Sequence, residues 1–417
     1  VNLEYSEIVK SPNAEGNTRL VGEVTYDRLF LKPERMWFEV SDEYAEFLTD
    51  SGNPWLTCLI PLAVTLGEPL RIGMPVDRKL FENVQELMHI WKGWYPYLRI
   101  VPVEAEIVDS EPRSAPARTA SLFSGGVDSF HTVLHHDAGA VSGSQTAIDD
   151  LVFIWGFDVP LCNRNTFQRV LDSLQIAAAG LGKELVVVSS NIRDTQFQHA
   201  NLANLSHGSF LASAVLALEA RYSTALISSS YAQKNLHPWG SHPRTDPLHS
   251  TKRTTFIHYG TQYDRIEKTE YISRSETALR SIRVCWRSDS GENCGACNKC
   301  YRTKVTLELV GALDRCTTFS EKSTDLKKVA EMYSSSERDT IYLHDIQTAA
   351  LRLGREDIAD AIDRSLQFSA RLDRRQLLPK IRKFNKFLQT KPTLWRLIRP
   401  FKKTLKFVIS KITGSSF

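Results

Sequence analysis

TASLFSGGVDSFHTVLHH, residues 119–136, contains the change of pattern that decides the fold. The short apolar run TASLF breaks at a glycine pair and resumes with apolar residues three and four apart. A strand therefore passes through a tight loop into a helix. Outward from this point the alternation continues. LVFIWGF (151–157) reads as a strand, NTFQRVLDSLQIAAAGLG (165–182) as a helix and ELVVVSS (184–190) as a strand. GSFLASAVLALEARY (208–222) follows as a helix and TALISSS (224–230) as a strand. Such a succession builds a parallel sheet with helices on both faces, and ligands bind beyond the carboxyl ends of its strands. The expected fold class is α/β, a parallel doubly wound sheet.

The flanks carry other signals. TRLVGEVTYDRLFL (18–31), RMWFEV (35–40) and LRIVPVEAEIV (98–108) read as strands, whereas CLIPLAVTLG (58–67) and RKLFENVQELMHIWKGW (78–94) read as helices. DSEPRSAPAR (109–118), rich in Pro, Ser and charge, reads as a linker. Residues 231–284 are expected to be long loops with one short strand near EKTEYI (267–272). KVTLELVGAL (304–313) reads as a helix, and residues 323–368 as two or three more. These signals divide the chain into an N-terminal α+β accessory domain (1–115), a central domain (116–320) and a C-terminal helical region with a basic tail (321–417).

Hydrophobic residues make up 42% of the 417 and charged residues 24%, the balance of an ordinary soluble protein. No window approaches the roughly 20 apolar residues of a membrane span. VNLEYSEIVK at the start has no basic-then-apolar pattern, so a cytoplasmic location is expected. The net charge of +4 hides an asymmetry: residues 371–417 hold 14 Lys or Arg against one acidic residue, Asp373, and the remainder is net acidic. The tail also interleaves Trp395, Leu397, Ile398, Phe401 and Leu405 with its basic residues. An anionic membrane surface, RNA or a partner protein are its expected contacts, against the plainer reading of a packed helical cap.

Ser124, Gly125, Gly126, Val127, Asp128 and Ser129 lie between the predicted strand and helix. A helix start leaves backbone N–H groups unpaired and carries partial positive charge, so it suits phosphate. The two glycines let the backbone approach an anion, the serines add hydroxyls, and Asp128 could hold Mg2+. Neither GxxxxGK[ST] nor GxGxxG is present. That sets aside a loop aimed at a γ-phosphate and a dinucleotide fingerprint.

Cys285, Cys294, Cys297 and Cys300 follow the spacing C-x8-C-x2-C-x2-C. Four thiolates so close together suit one tetrahedral Zn2+, with an iron–sulfur cluster as the weaker alternative. Cys58, Cys162 and Cys316 stand apart from this group.

SGGVDS resembles the SGGxDS loop of the PP-loop ATP pyrophosphatases, the adenine-nucleotide α-hydrolase (HUP-type) superfamily. With the cysteine spacing, VCWR, NCGACNKC and YRTKVTLELVGAL, residues 118–313 are similar to the 7-cyano-7-deazaguanine synthase family. The resemblance implies that ATP is split to AMP and pyrophosphate and that the cysteines carry structural zinc. It also implies that strand ends near Gly156–Asp158 and Ser189–Asn191 flank the adenosine. The family's Asp-Cys-Arg run is missing; His237-Pro238-Trp239-Gly240-Ser241-His242-Pro243 and Thr245-Asp246-Pro247 stand in its place. A different substrate is therefore expected.

Tyr231–Tyr259 gathers His237, His242, His249 and His258 with Asp246. Lys234, Lys252 and Arg253 are the candidates for a phosphate clamp, with Asp128, Ser129 and Lys234 as the expected catalytic set. The expected function is adenylation of a carboxylate or carbonyl on a small-molecule or protein-borne acyl substrate, then attack by ammonia or an amine, as in an amide-forming ligase. ATP, Mg2+ and Zn2+ are the implied cofactors. The alternatives are a transfer-RNA-modifying enzyme of the same superfamily and an ATP-binding module without turnover. The oligomeric state stays open.

Overall fold

The computed structural model describes residues 1–12, 15–111, 118–143, 146–285, 288, 290–334 and 337–374. The expected contacts of the basic tail fall almost entirely outside these residues, as do Trp286 and Arg287 of the VCWR run. The elements in chain order begin with β1 (Asn2–Lys10), β2 (Asn17–Thr25), β3 (Glu34–Ser41), α1 (Asn53–Leu66), β4 (Leu70–Asp77), α2 (Arg78–Trp94) and β5 (Val103–Val108). Next come β6 (Arg118–Leu122), α3 (Val127–Val141), β7 (Asp150–Trp155), α4 (Arg164–Leu181), β8 (Glu184–Ser190), α5 (His207–Leu216), β9 (Tyr222–Ser228) and β10 (Thr255–Tyr259). The helices α6 (Arg265–Ile272), α7 (Glu276–Ser281), α8 (Asn298–Leu309), α9 (Leu326–Ala330), α10 (Glu337–Arg352) and α11 (Glu356–Arg374) complete the described chain.

The α/β class is what the structure has, and its ten strands form one sheet in the order β10-β9-β6-β7-β8-β3-β2-β1-β4-β5. The five strands from β10 to β8 are all parallel. Chain order within them matters: β7 and β8 are added on one side of β6, and β9 and β10 on the other. The direction of addition thus reverses at β6, and in open α/β sheets a crevice opens outside the strand ends at such a point. β7 is buried through its first five residues, as suits a strand covered on both faces.

Residues 1–108 do not close a sheet of their own. Phe38 and Glu39 of β3 pair antiparallel with Ser190 and Ser189 of β8, so the N-terminal strands extend the parallel half. Two of those strands are additions to the sequence reading. β1 is broken by a register shift between Leu3 and Ser6, and β4 carries Gly73 and Pro75. Pro75 is tolerated because the β4–β5 ladder is irregular between Ile72 and Val76. α1 is almost wholly buried, with Trp55, Leu59 and Leu62 in the core. Each such side chain contributes roughly 1.5–3 kcal/mol on burial.

The chain packs as two compact units. One comprises Val1–Ser124, Thr132–Ser230 and Leu236–Thr261 and holds the whole sheet. The other takes Gly125–His131, Tyr231–Asn235 and the residues from Gln262 onward. Its core joins Ile266, Tyr301, Val305, Val329, Leu343, Ile346, Ile358 and Ile362 from α6 and α8–α11. The two or three helices expected at 323–368 are three. EKTEYI, expected as a strand, is helical within α6, and the strand of this stretch is β10. Asp264 decides the matter: its carboxylate accepts from the N–H groups of Ile266 and Glu267, while Glu267 reaches back to the Asp264 N–H. This capping box starts a helix where β-branched and aromatic residues favour a strand. Among the described residues, no helix is long and apolar enough to cross a membrane.

Candidate active site and metal centre

Ser124 follows β6, and the chain turns at Gly125, whose φ of +74° lies in the left-handed region that glycine enters without strain. The Gly125 carbonyl accepts from the N–H of Arg283 at 2.7 Å. α3 then opens at Val127, with Phe130 N–H on the Gly126 carbonyl at 3.0 Å. Ser129 is buried, and its hydroxyl also donates to the Gly126 carbonyl at 3.0 Å. It thus secures the helix start.

Asp128 sits in the first turn of α3 and faces two cations of α6. Arg265 Nη2 is 2.9 Å from one carboxylate oxygen and Lys268 Nζ is 3.5 Å from the other. The Asp128 side chain is 19% exposed and that of Lys268 only 2%. Burial pushes the Lys268 ammonium below its ordinary range, with Asp128 opposing the shift. Burial also works against Arg265, but Asp128 and Tyr342 outweigh it and hold its pKa above the usual value. A partly open carboxylate, two cations and a helix start can exchange partners with a polyanion and its counter-ion.

Arg265 and Lys268 were missed by sequence reasoning because EKTEYI looked like a strand. The signal was present: Asp264 and Glu267 have capping-box spacing, which puts residues 265 and 268 on one helical face. Lys234 is placed differently. It is 60% exposed and bridges Asp264 at 3.2 Å and Asp345 at 3.3 Å. Burial alone would lower its pKa, and these two carboxylates raise it instead. Lys252 and Arg253 belong to the sheet unit, where the Lys252 N–H donates to Asp77 and Arg253 Nε to the Glu111 carbonyl.

The strand ends expected near adenosine have structural duties. Gly156, at φ +96°, leaves only 2.0 Å between an added Cβ and the Ser190 carbonyl oxygen. Asn191 accepts from the Trp37 N–H and donates to the Arg35 carbonyl, carrying the β8–β3 ladder one residue further. Asp158 is exposed.

Within 231–259, Asp246 is fully buried and accepts from Ser241 at 2.6 Å and pairs with His258 Nδ1 at 2.7 Å. Burial disfavours its charge, but His258 and Ser241 outweigh that and hold the carboxyl below the usual range. Burial takes His242 and His249 down to about 4. This cluster fastens the loop to β10. Among the described residues, the four cysteines are the one set of three or more His, Cys, Asp or Glu side chains that could hold a metal.

Cys285, Cys294, Cys297 and Cys300 bring all four sulfurs within 4.8 Å of one another. Cys285 and Cys297 sulfurs are 3.9 Å apart, and those of Cys294 and Cys300 are 3.8 Å apart. Tetrahedral thiolates at about 2.3 Å from zinc lie about 3.8 Å from each other, and these two pairs match that spacing. The Cys297 N–H donates to Cys294 Sγ at 3.3 Å, an arrangement that stabilises a thiolate ligand. Cys297 caps α8 and Cys300 lies in its first turn. Asn293 closes the other side: its side-chain oxygen accepts from Val284 and Cys285 N–H, and its amide donates to Ile282 and Thr318.

Comparison of the chain with protein-family models, curated proteins and solved structures found no match in any of the three.

Proposed function

We propose that this chain is an ATP-consuming enzyme that splits ATP between the α and β phosphates, transfers AMP to a carboxylate or carbonyl oxygen, and lets ammonia or an amine displace it. The observation that carries the reading is the glycine-pair loop between β6 and α3, where strand addition reverses and where Asp128 meets Arg265 and Lys268. The strand order β8-β7-β6-β9-β10 supports a doubly wound sheet of HUP type.

In this reading the substrate oxygen attacks the α-phosphorus, and the bond to the β-phosphate oxygen breaks. Loop N–H groups at the start of α3 receive the pyrophosphate. Magnesium, when bound, neutralises phosphate charge, and Asp128 offers the hard oxygen ligand it prefers. With Asp128 turned to that cation, Arg265 and Lys268 would be the charges that meet the leaving pyrophosphate. In the second step the amine nitrogen attacks the acyl carbon, AMP departs with the bonding pair, and the amine gives up a proton. The four thiolates leave zinc no open position, which supports a structural role for the metal.

The test is product analysis with MgATP across carboxylated heterocycles, amino acids and RNA, with ammonia present. AMP and pyrophosphate formed with one acceptor support the reading. ADP and phosphate from that acceptor, or MgATP failing to bind, would overturn it.

A further inference from the structure

The cysteine cluster and the phosphate loop are joined by a short, fully specified path within one unit. Two residues before Cys285, the Arg283 N–H donates to the Gly125 carbonyl at 2.7 Å. That carbonyl belongs to the residue whose left-handed φ sets the direction of the loop. The segment Ile282–Cys285 lies outside any helix or strand, and side chains add to the backbone bonds that hold it in place. Asn293 does so with bonds to Ile282, Val284 and Cys285, and Arg283 Nε donates to the Gly291 carbonyl at 3.1 Å. Gly291 and Asn293 lie just before Cys294. Both ends of this brace therefore end at metal-ligating cysteines.

We propose that metal occupancy of Cys285, Cys294, Cys297 and Cys300 sets the conformation of the phosphate loop through Arg283, so that metal binding and polyphosphate binding strengthen one another. Without the ion, no bond holds the four sulfurs to a common centre, Cys285 separates from Cys297, and the Arg283 N–H leaves Gly125. A peptide at Gly125 no longer pinned samples orientations in which the loop N–H groups do not converge. Coupling of this kind is reciprocal by thermodynamic necessity. The proposal rests on the loop binding MgATP or pyrophosphate, as argued above.

The test uses the full zinc-loaded chain and two probes, MgATP and inorganic pyrophosphate. Saturating pyrophosphate should slow zinc transfer to a chromogenic chelator, and chelator-stripped protein should bind MgATP more weakly, each by about tenfold. Asn293→Ala guards against a stripped protein that unfolds. It keeps all four thiolates, and it should retain one zinc while binding MgATP about tenfold more weakly. Zinc transfer indifferent to pyrophosphate, with MgATP binding equal in wild type and Asn293→Ala, overturns the coupling alone. Zinc-loaded wild type that binds neither probe overturns the phosphate-loop reading and the coupling with it.

Discussion

Asp128 and Asp150 each face two cations, and they are built for opposite purposes. Asp150 opens β7, is wholly buried, and is bonded by Arg118 from β6 and Arg221 just before β9. Glu184, at the start of β8, accepts from Nη2 of both arginines, so two positive and two negative charges cancel. The rings of Tyr44, Phe47 and Tyr222 surround the Arg221 guanidinium. This cluster ties the amino ends of four strands. Asp128 has the same complement, a carboxylate and two cations, but lies at a helix start, is partly exposed, and holds Lys268 only at 3.5 Å. A closed set of charges stabilises a fold; a looser one with an open face can change partners.

Charge removal at each site separates these purposes. Asp128→Asn should lower AMP formation at least 100-fold while the protein stays folded, losing about 1–3 kcal/mol, since its charged hydrogen bonds to Arg265 and the buried Lys268 weaken. Steady-state kinetics and urea denaturation of one preparation check both halves. Asp150→Asn should do the reverse. Removing the wholly buried carboxylate from its ion pairs costs about 3–5 kcal/mol, read as a lower denaturation midpoint, with the kinetics of the surviving folded protein little changed.

The next contrast is in pH. The Asp150 cluster uses only arginines, which stay charged. Lys268 does not share that property, because burial holds its pKa below the ordinary lysine value. Lysine binds phosphate as the ammonium, so MgATP affinity is complete below the folded pKa and declines as pH rises through it, before the unperturbed value of about 10.4. Linkage has a fixed sign too: a lysine depressed in the folded state relieves its burial penalty as pH rises toward the unfolded value, so stability at this residue increases over the same interval. Titration of MgATP binding by calorimetry should show the decline in wild type and a flatter profile in Lys268→Arg. The smallest effect belongs to Lys234→Met. Its side chain is 60% exposed, so stability should shift by about 1 kcal/mol and AMP formation by less than about threefold. A loss as deep as that of Asp128→Asn would restore Lys234 to the phosphate machinery.

Legibility in the sequence followed the range of the forces involved. ELVVVSS and the cysteine spacing were readable because a buried strand and a tetrahedral ligand set are local patterns. β1 was not, because a bulge interrupts its alternation, and β4 was not, because Gly73 and Pro75 read as strand breakers although Leu70, Ile72, Met74 and Val76 alternate inward. Arg265 and Lys268 were hidden by a helix whose cap outranks its strand-like composition. The pairing of β3 with β8 lay beyond reach for another reason. Phe38 and Ser190 are far apart in the chain, and nothing local to either names the other.

That pairing also shapes how the protein is made. The strands β1–β5 leave the ribosome well before Ser189 and Ser190 exist to meet β3. At 5–20 residues per second, the roughly 80 residues between Val108 and Ser190 take on the order of ten seconds to synthesise. Throughout that interval β3 is an open edge, a template on which another nascent chain could dock. Glu34, Arg35 and Glu39 put charge along it, which discourages the wrong neighbour until β8 arrives.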